Sequence, residues 1–332
     1  MRKLIPLTLL AAAGVAALLA GAGRSWAPDR NGRIAFQEVT FSAGTPPTVN
    51  FLTVEPDGTD VRQVTDTAAP GGTSENPAWT PDGEHILFDS DRADGFPHLF
   101  TMRANGRNVR QLTSGENFQS SPAMSPDGRL IAFNGQTFDP ADSGIHVVDR
   151  RGGTVGDFRR VTVFPGPDTN GADDEPDFSP DGRRIAFVRE AQTRATAPTA
   201  QAAVFVVNVD GSGLRQLTPY ALDAETPRWS PDGRRIAFDV NAEEHDAQHP
   251  NDLYVINADG RGLTQLTHEG GGSNSFHPDW SPDGRKLVFA HRSVGASSID
   301  IEVMDLRSGR ISTVWHGPDN TFAARPAWGT RS

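Results

Sequence analysis

Not one cysteine occurs among the 332 residues. That absence excludes disulfide staples, thiol nucleophiles, zinc–cysteine clusters and the lipidated cysteine of bacterial lipoproteins. Positive charge is also in short supply, with a formal net charge of −11. A protein that tracks a phosphate backbone needs a basic face, so nucleic acid is not an expected partner. The chain has no Gly-x-Ser-x-Gly elbow for a hydrolase serine and no Gly-rich strand-to-helix loop for phosphate. Helical periodicity is absent after the first 27 residues.

Those first 27 residues stand apart. Arg2 and Lys3 precede an almost unbroken apolar run from Leu4 to Ala20, and Ser25-Trp26-Ala27 has the small-x-small form of a cleavage site. The segment reads as an export signal, with a mature, soluble chain from Pro28 in the periplasm or outside the cell. An uncleaved anchor is the alternative, because the run is near the minimum spanning length. Loss of Arg2, Lys3 and Arg24 on cleavage takes the charge from −11 to −14.

The remainder, 28–332, is repetitive. Ser-Pro-Asp-Gly or Thr-Pro-Asp-Gly occurs five times, at Thr80–Gly83, Ser125–Gly128, Ser179–Gly182, Ser230–Gly233 and Ser281–Gly284. Pro-x-aromatic stands in front (Pro77-Ala78-Trp79, Pro176-Asp177-Phe178, Pro227-Arg228-Trp229, Pro278-Asp279-Trp280), with Pro122-Ala123-Met124 as the variant. Behind comes an apolar strand ending in Phe88, Phe133, Phe187, Phe238 or Phe289. A repeat of about 50 residues marks stacked supersecondary units. Ser, Pro and Gly suit the first, second and fourth positions of a type I turn. Asp-Gly and Asn-Gly pairs, such as Asn105-Gly106 and Asp259-Gly260, suit a second tight hairpin. Each unit is thus a four-stranded antiparallel meander. In the fifth, the strands are expected at Pro227–Ser230, Arg234–Phe238, Asp252–Asn257 and Leu263–Thr267.

The second and fourth strands each occur six times, beginning with Arg33–Phe36 and Val61–Thr65. The first is missing before Arg33 and reappears at the far end as Arg325-Pro326-Ala327-Trp328. The expected fold is therefore an all-β, six-bladed propeller whose ring is closed by the C-terminal strand, leaving no open sheet edge. The segment from Phe88 to Thr113, with its Phe-Asp-Ser-Asp opening and its Arg-Gln-Leu-Thr ending, resembles the repeat of the TolB-type, WD-like propellers. The resemblance runs in register over residues 31–328. TolB itself carries an α/β domain ahead of its propeller. With about four residues between Ala27 and the first blade, that domain is expected to be missing.

The connections between second and third strands are long and unlike one another (37–50, 89–97, 134–143, 188–202, 239–251 and 290–297), whereas the Pro-Asp-Gly turns are uniform. Variable loops on a rigid scaffold commonly carry recognition, and free surface loops are the plainer alternative. Residues just before each first-strand Pro should ring the channel mouth on that face. They include Glu75, Asp174, Glu175, Glu225, His277 and Arg325, a set fitted to a cation, an amine or a peptide terminus, or to a merely solvated funnel. Glu243–His249 holds metal-capable side chains, but His245 and His249 share a face only in a helix. Asp89–Gly95 imitates a calcium loop without its bidentate Glu, and Asp168–Asp177 is acidic without a specific pattern. No cofactor is expected, with Ca2+ or another divalent ion as the alternative. Two functions follow. One is a noncatalytic, monomeric recognition propeller for a protein, peptide or envelope polymer. The other is a lyase or hydrolase of sugars or lactones using His277, His245 or His249 with the channel carboxylates.

Overall fold

The computed structural model describes residues 31–42, 44, 47–65, 72–136, 143–163, 172–191, 201–240, 251–270 and 272–331. The proposed signal segment, His245, His249 and Asp168 lie outside them. The described residues form six four-stranded antiparallel sheets arranged as a propeller. Blade 1 consists of Thr321–Thr330, Asn31–Thr40, Thr48–Val54 and Arg62–Gln63, in that order from the axis outwards. The strand nearest the C-terminus thus lies innermost in the blade that begins at the N-terminus. It pairs along nearly the whole of Asn31–Thr40, from Asn31↔Thr330 to Thr40↔Thr321. Blades 2 to 6 follow in chain order, with innermost strands Ser74–Trp79, Phe118–Met124, Asp173–Phe178, Ala224–Trp229 and Asn274–Trp280.

The repeat motif forms the turn that its residues demand. In each of the five copies the Gly N–H donates to the carbonyl of the leading Ser or Thr, at 2.7–2.9 Å. The Asp Oδ1 accepts from that residue's hydroxyl, and the Gly lies at φ between +67° and +70°. One carboxylate thereby pins both sides of a two-strand connection. The strand behind the turn buries Phe88, Phe133, Phe187, Phe238 and Phe289 completely, and Asn31–Thr40 of blade 1 buries Phe36 in the same way. Each packs in the apolar layer between adjacent blades. Burial of these side chains is the main stabilising term, at about 1.5–3 kcal/mol apiece.

Two expectations need correction. Innermost strands begin about three residues earlier than the Pro, so the mouth residues belong to strands and not to loops. Two of the long connections also begin and end inside the strand ladder: pairing continues to Thr40↔Thr48 in blade 1 and to Ala191↔Gln201 in blade 4. Alternating burial over short segments under-read these extensions because both strands leave the apolar layer before their ladder ends.

Candidate functional site

The six residues that precede the first-strand prolines all adopt the left-handed conformation: Asn76, Ser121, Glu175, Thr226, His277 and Arg325, at φ between +46° and +54°. Every innermost strand slips register at that point. A bulge of this kind bends a strand and re-aims its side chains. A non-glycine residue in this region costs of order 1–3 kcal/mol, and such outliers gather at functional positions. Here the bulge recurs once per blade around the axis, just ahead of six buried prolines.

Glu175 is the centre of the ring. Its carboxylate is ion-paired with the Arg325 guanidinium on one side and with Arg228 Nη2 at 3.1 Å on the other. Burial alone would raise this carboxyl, but Arg325 and then Arg228 outweigh it and hold it down at about 2. Arg325 is raised in turn, with its burial opposed by Glu175. The Arg325 backbone N–H donates to His277 Nδ1 at 3.4 Å. Burial, and then the Arg325 charge, lowers His277 to about 3, which leaves the imidazole neutral at ordinary pH. Asp174 accepts from the Glu175 N–H at 2.7 Å and is raised by burial and by its acidic neighbour. Three of the expected mouth residues, Glu175, His277 and Arg325, are thus brought together, with Asp174 beside them. Glu75 is exposed, and Glu225 lies opposite Asp239 in the blade 5 ladder.

A second layer lies two residues further along each strand. It carries Ala327, Ala78 and Ala123 in blades 1 to 3 and Asp177, Arg228 and Asp279 in blades 4 to 6. The channel therefore has an alanine half and an ionic half, around a cavity of about 160 Å³. The two aspartates also stitch blades together: Asp177 Oδ2 accepts from the Trp229 N–H at 2.6 Å, and Asp279 Oδ2 from the Trp328 N–H at 2.7 Å. Burial pushes Asp177 up to about 7 and Asp279 up to about 6. Asp89 and Asp239 make the equivalent stitch one layer up, accepting from the Ser121 and His277 N–H groups at 3.0 and 3.2 Å. Burial takes them to about 7 and about 6.

Arg228, Asp177 and Asp279 escaped the sequence reading. Side chains two apart along a strand share a face, so residue 177 lines the channel with Glu175, and the x of each Pro-x-aromatic triplet was the available signal. The Asp89–Gly95 carboxylates disperse to separate tasks. Asp91 Oδ1 accepts from the Thr73 N–H at 2.6 Å, and Asp94 faces His98 Nε2 at 3.1 Å. Among the described residues, one cluster gathers metal-capable atoms within 4.8 Å of one another: Asp82, Glu84 and His85, on a first turn. Asp82 Oδ1 is already engaged there by Thr80 Oγ1 and the Glu84 N–H.

Fold and site together define a six-bladed propeller with a charged axial channel. The family model described as the TolB beta propeller domain matches residues 22–196 and again 174–331. The chain belongs to that family. Among its relatives, the uncharacterized peptidase YuxL of Bacillus subtilis (strain 168) is 31% identical over 183 residues, which cover 55% of this chain and 24% of that protein. The Tol-Pal system protein TolB of Francisella tularensis subsp. mediasiatica is 24% identical over 206 residues, 62% of this chain and 42% of that one. The chain thus spans less than half the length of either. The crystal structure of TolB from Acinetobacter baumannii superimposes with a TM-score of 0.67 at 20% identity, covering 90% of this chain and 66% of that one. At that identity the likeness is one of fold.

Proposed function

We propose that this chain is an exported recognition propeller that receives a protein or peptide partner on its long-loop face and at the channel mouth. The observation that carries this reading is the ion-paired centre of the mouth, where Glu175 bridges Arg325 and Arg228. Glu175 is ionised between two guanidiniums, and His277 is neutral. General acid–base catalysis favours a group poised near the operating pH; His277, one of the residues a catalytic reading would use, is held far below it, and the aspartates raised towards it accept backbone N–H bonds between blades. Fixed charges on a rigid ring suit electrostatic recognition. Carboxyl groups outnumber guanidiniums through the mouth and the channel, so the summed field favours a cationic side chain or a terminal ammonium. A family relative assigned to the Tol-Pal system is consistent with a protein partner in the envelope. The N-terminal segment supports export.

The test is affinity capture from the native envelope with wild-type protein and with a variant in which Glu75, Asp174 and Glu225 are all replaced by the matching amides. Mass spectrometry should identify a protein retained by the wild type and reduced in the variant. Capture unchanged by that variant, or turnover of a sugar or lactone abolished by His277→Ala with binding intact, would overturn the reading.

A further inference from the structure

We propose a second binding site, on the opposite face: the groove between blades 2 and 3 holds an acidic peptide segment bearing an apolar side chain, gripped by Arg103, Arg110 and Arg150. The groove measures about 570 Å³, within the size range of ligand sites. It lies on the face of the Pro-Asp-Gly turns, away from the channel mouth.

Two departures from the repeat open it. At the blade 4–5 and 5–6 interfaces, the aromatic of the Pro-x-aromatic triplet fills this space under an arginine. The Arg184 guanidinium lies 4.6 Å from the Trp229 ring, and Arg235 lies 5.1 Å from Trp280. Blade 3 has Met124 where its neighbours carry Trp or Phe, and His85 stands where blades 4 and 5 have Arg184 and Arg235. The second departure concerns a latch. Arg159 in blade 3 donates to the Val209 carbonyl of the next blade at 2.7 Å. Arg215 in blade 4 donates likewise to Asp259 and Ala258, at 2.8 and 2.6 Å. Arg110 is the equivalent residue of blade 2, and among the described residues it makes no such bond. Blade 3 instead closes on blade 2 through its backbone, with the Gly153 N–H donating to the Leu112 carbonyl at 2.9 Å and Gly153 pairing with Thr113 in parallel. That contact replaces the latch and releases the arginine.

The resulting lining is amphipathic. Leu87, Leu112 and Met124 form its apolar wall, and methionine adapts readily to varied side chains. Arg103, Arg110 and Arg150 are exposed, and none has a carboxylate within 4.0 Å among the described residues. Arg151, also on the rim, is held by Asp149 at 2.7 Å. The groove's own acids, Asp82 and Asp127, cap the N–H groups of their turns. In a chain of net charge −11, a groove lined by four guanidiniums against two carboxylates, beside an apolar wall, calls for an amphipathic anion. Guanidinium forks match carboxylates. Their origin on two blades suits several carboxylates spaced along an extended chain better than one phosphate, and the apolar wall suits a leucine-like side chain.

The probe is fluorescein-labelled Glu-Leu-Asp-Glu-Leu-Glu amide, followed by anisotropy with the full chain at low and high salt. Saturable, salt-sensitive binding is expected, with none to the Gln-Leu-Asn-Gln-Leu-Gln counterpart. Affinity should fall about tenfold or more in the Arg103→Gln/Arg110→Gln variant and in Arg150→Gln. Met124→Trp restores the aromatic of the other blades. It should fill the groove and abolish binding while the melting temperature holds or rises, which separates loss of the site from loss of the fold. Equal binding by these variants would overturn the proposal. So would failure of the acidic peptide to bind, including the case in which an oligouronate or inorganic phosphate binds in its place. Arg103, Arg110 and Arg150 line the groove and not the channel cavity, so partner capture at the mouth should be unchanged in the arginine variants whichever way the peptide test falls, whereas Met124 borders both spaces.

Discussion

Trp328 donates its indole Nε1–H to the carbonyl of Gly32, 296 residues earlier in the chain, at 3.1 Å. The same residue donates its backbone N–H to Asp279 of blade 6, and its ring is buried in the apolar layer that joins blades 6 and 1. The ring of blades is therefore locked at one side chain. Trp328→Ala should cost about 3–5 kcal/mol, the usual range for truncating a buried aromatic. Trp328→Phe, which keeps most of the packing and loses the indole bond, should cost about 1 kcal/mol more than packing alone. Urea unfolding of both variants measures this, and a small, equal loss in the two would contradict the lock.

A pair of glycines tests the same closure without touching the core. Gly83 and Gly128 occupy the same turn position at φ +70° and +68°, so an alanine at either carries the same left-handed strain of about 1 kcal/mol. A Cβ on Gly83 would meet the Thr330 carbonyl oxygen of the closing strand at 2.3 Å, whereas one on Gly128 meets nothing within 4 Å. Gly83→Ala should accordingly lower the melting temperature clearly more than Gly128→Ala. Equal effects would place the end of the closing strand elsewhere.

Stability should be greater near pH 5 than near pH 8. Burial raises Asp89 and Asp177 to about 7, and Asp239 and Asp279 to about 6. Between their ordinary value and those values the fold retains protons that the unfolded chain has released. Their stabilising contribution is complete below the ordinary carboxyl range and is lost as pH rises through about 6 to 7. His277 works in the other direction. Lowered to about 3, it costs stability as pH falls below the ordinary imidazole range, because only the unfolded chain gains that proton. Four carboxyls outweigh one imidazole. Melting temperatures across this range check the sign, and Asp177→Asn should flatten the slope; a melting temperature that rises steadily to pH 8 would contradict the burial of these groups.

The fold was legible because the repeat writes its turn chemistry out in full. Ser, Pro, Asp and Gly each have one job in the turn, and the buried Phe follows at a constant offset. The site was legible only in part. The left-handed bulge at Glu175 and its five counterparts interrupts simple alternation, so the wall residues were read as loop ends and Arg228 as a strand position of no consequence. Met124 stood out as a variant triplet. What it opens depends on His85 and Arg110, residues whose roles are set by packing against the next blade and by a latch that only their counterparts Arg159 and Arg215 reveal.

The bridge at the mouth yields a prediction that separates a charge effect from a shape effect. Glu175→Gln keeps the volume of the side chain but leaves Arg228 and Arg325 facing each other without the carboxylate between them. Removing one partner of a largely buried pair commonly costs about 3–5 kcal/mol. Both guanidiniums retain some access to solvent, which places the expectation at the lower end, about 3 kcal/mol. Glu175 is held down at about 2, so its contribution is present above the ordinary glutamate range and disappears as pH falls through about 2. The difference between wild type and variant should therefore persist at pH 4 and close towards pH 2. Adding Arg325→Met to Glu175→Gln should recover part of the loss, because it removes the charge left without its partner. A double variant no more stable than the single one, or a difference that does not narrow towards pH 2, would show that Glu175 acts there by packing and not by its charge.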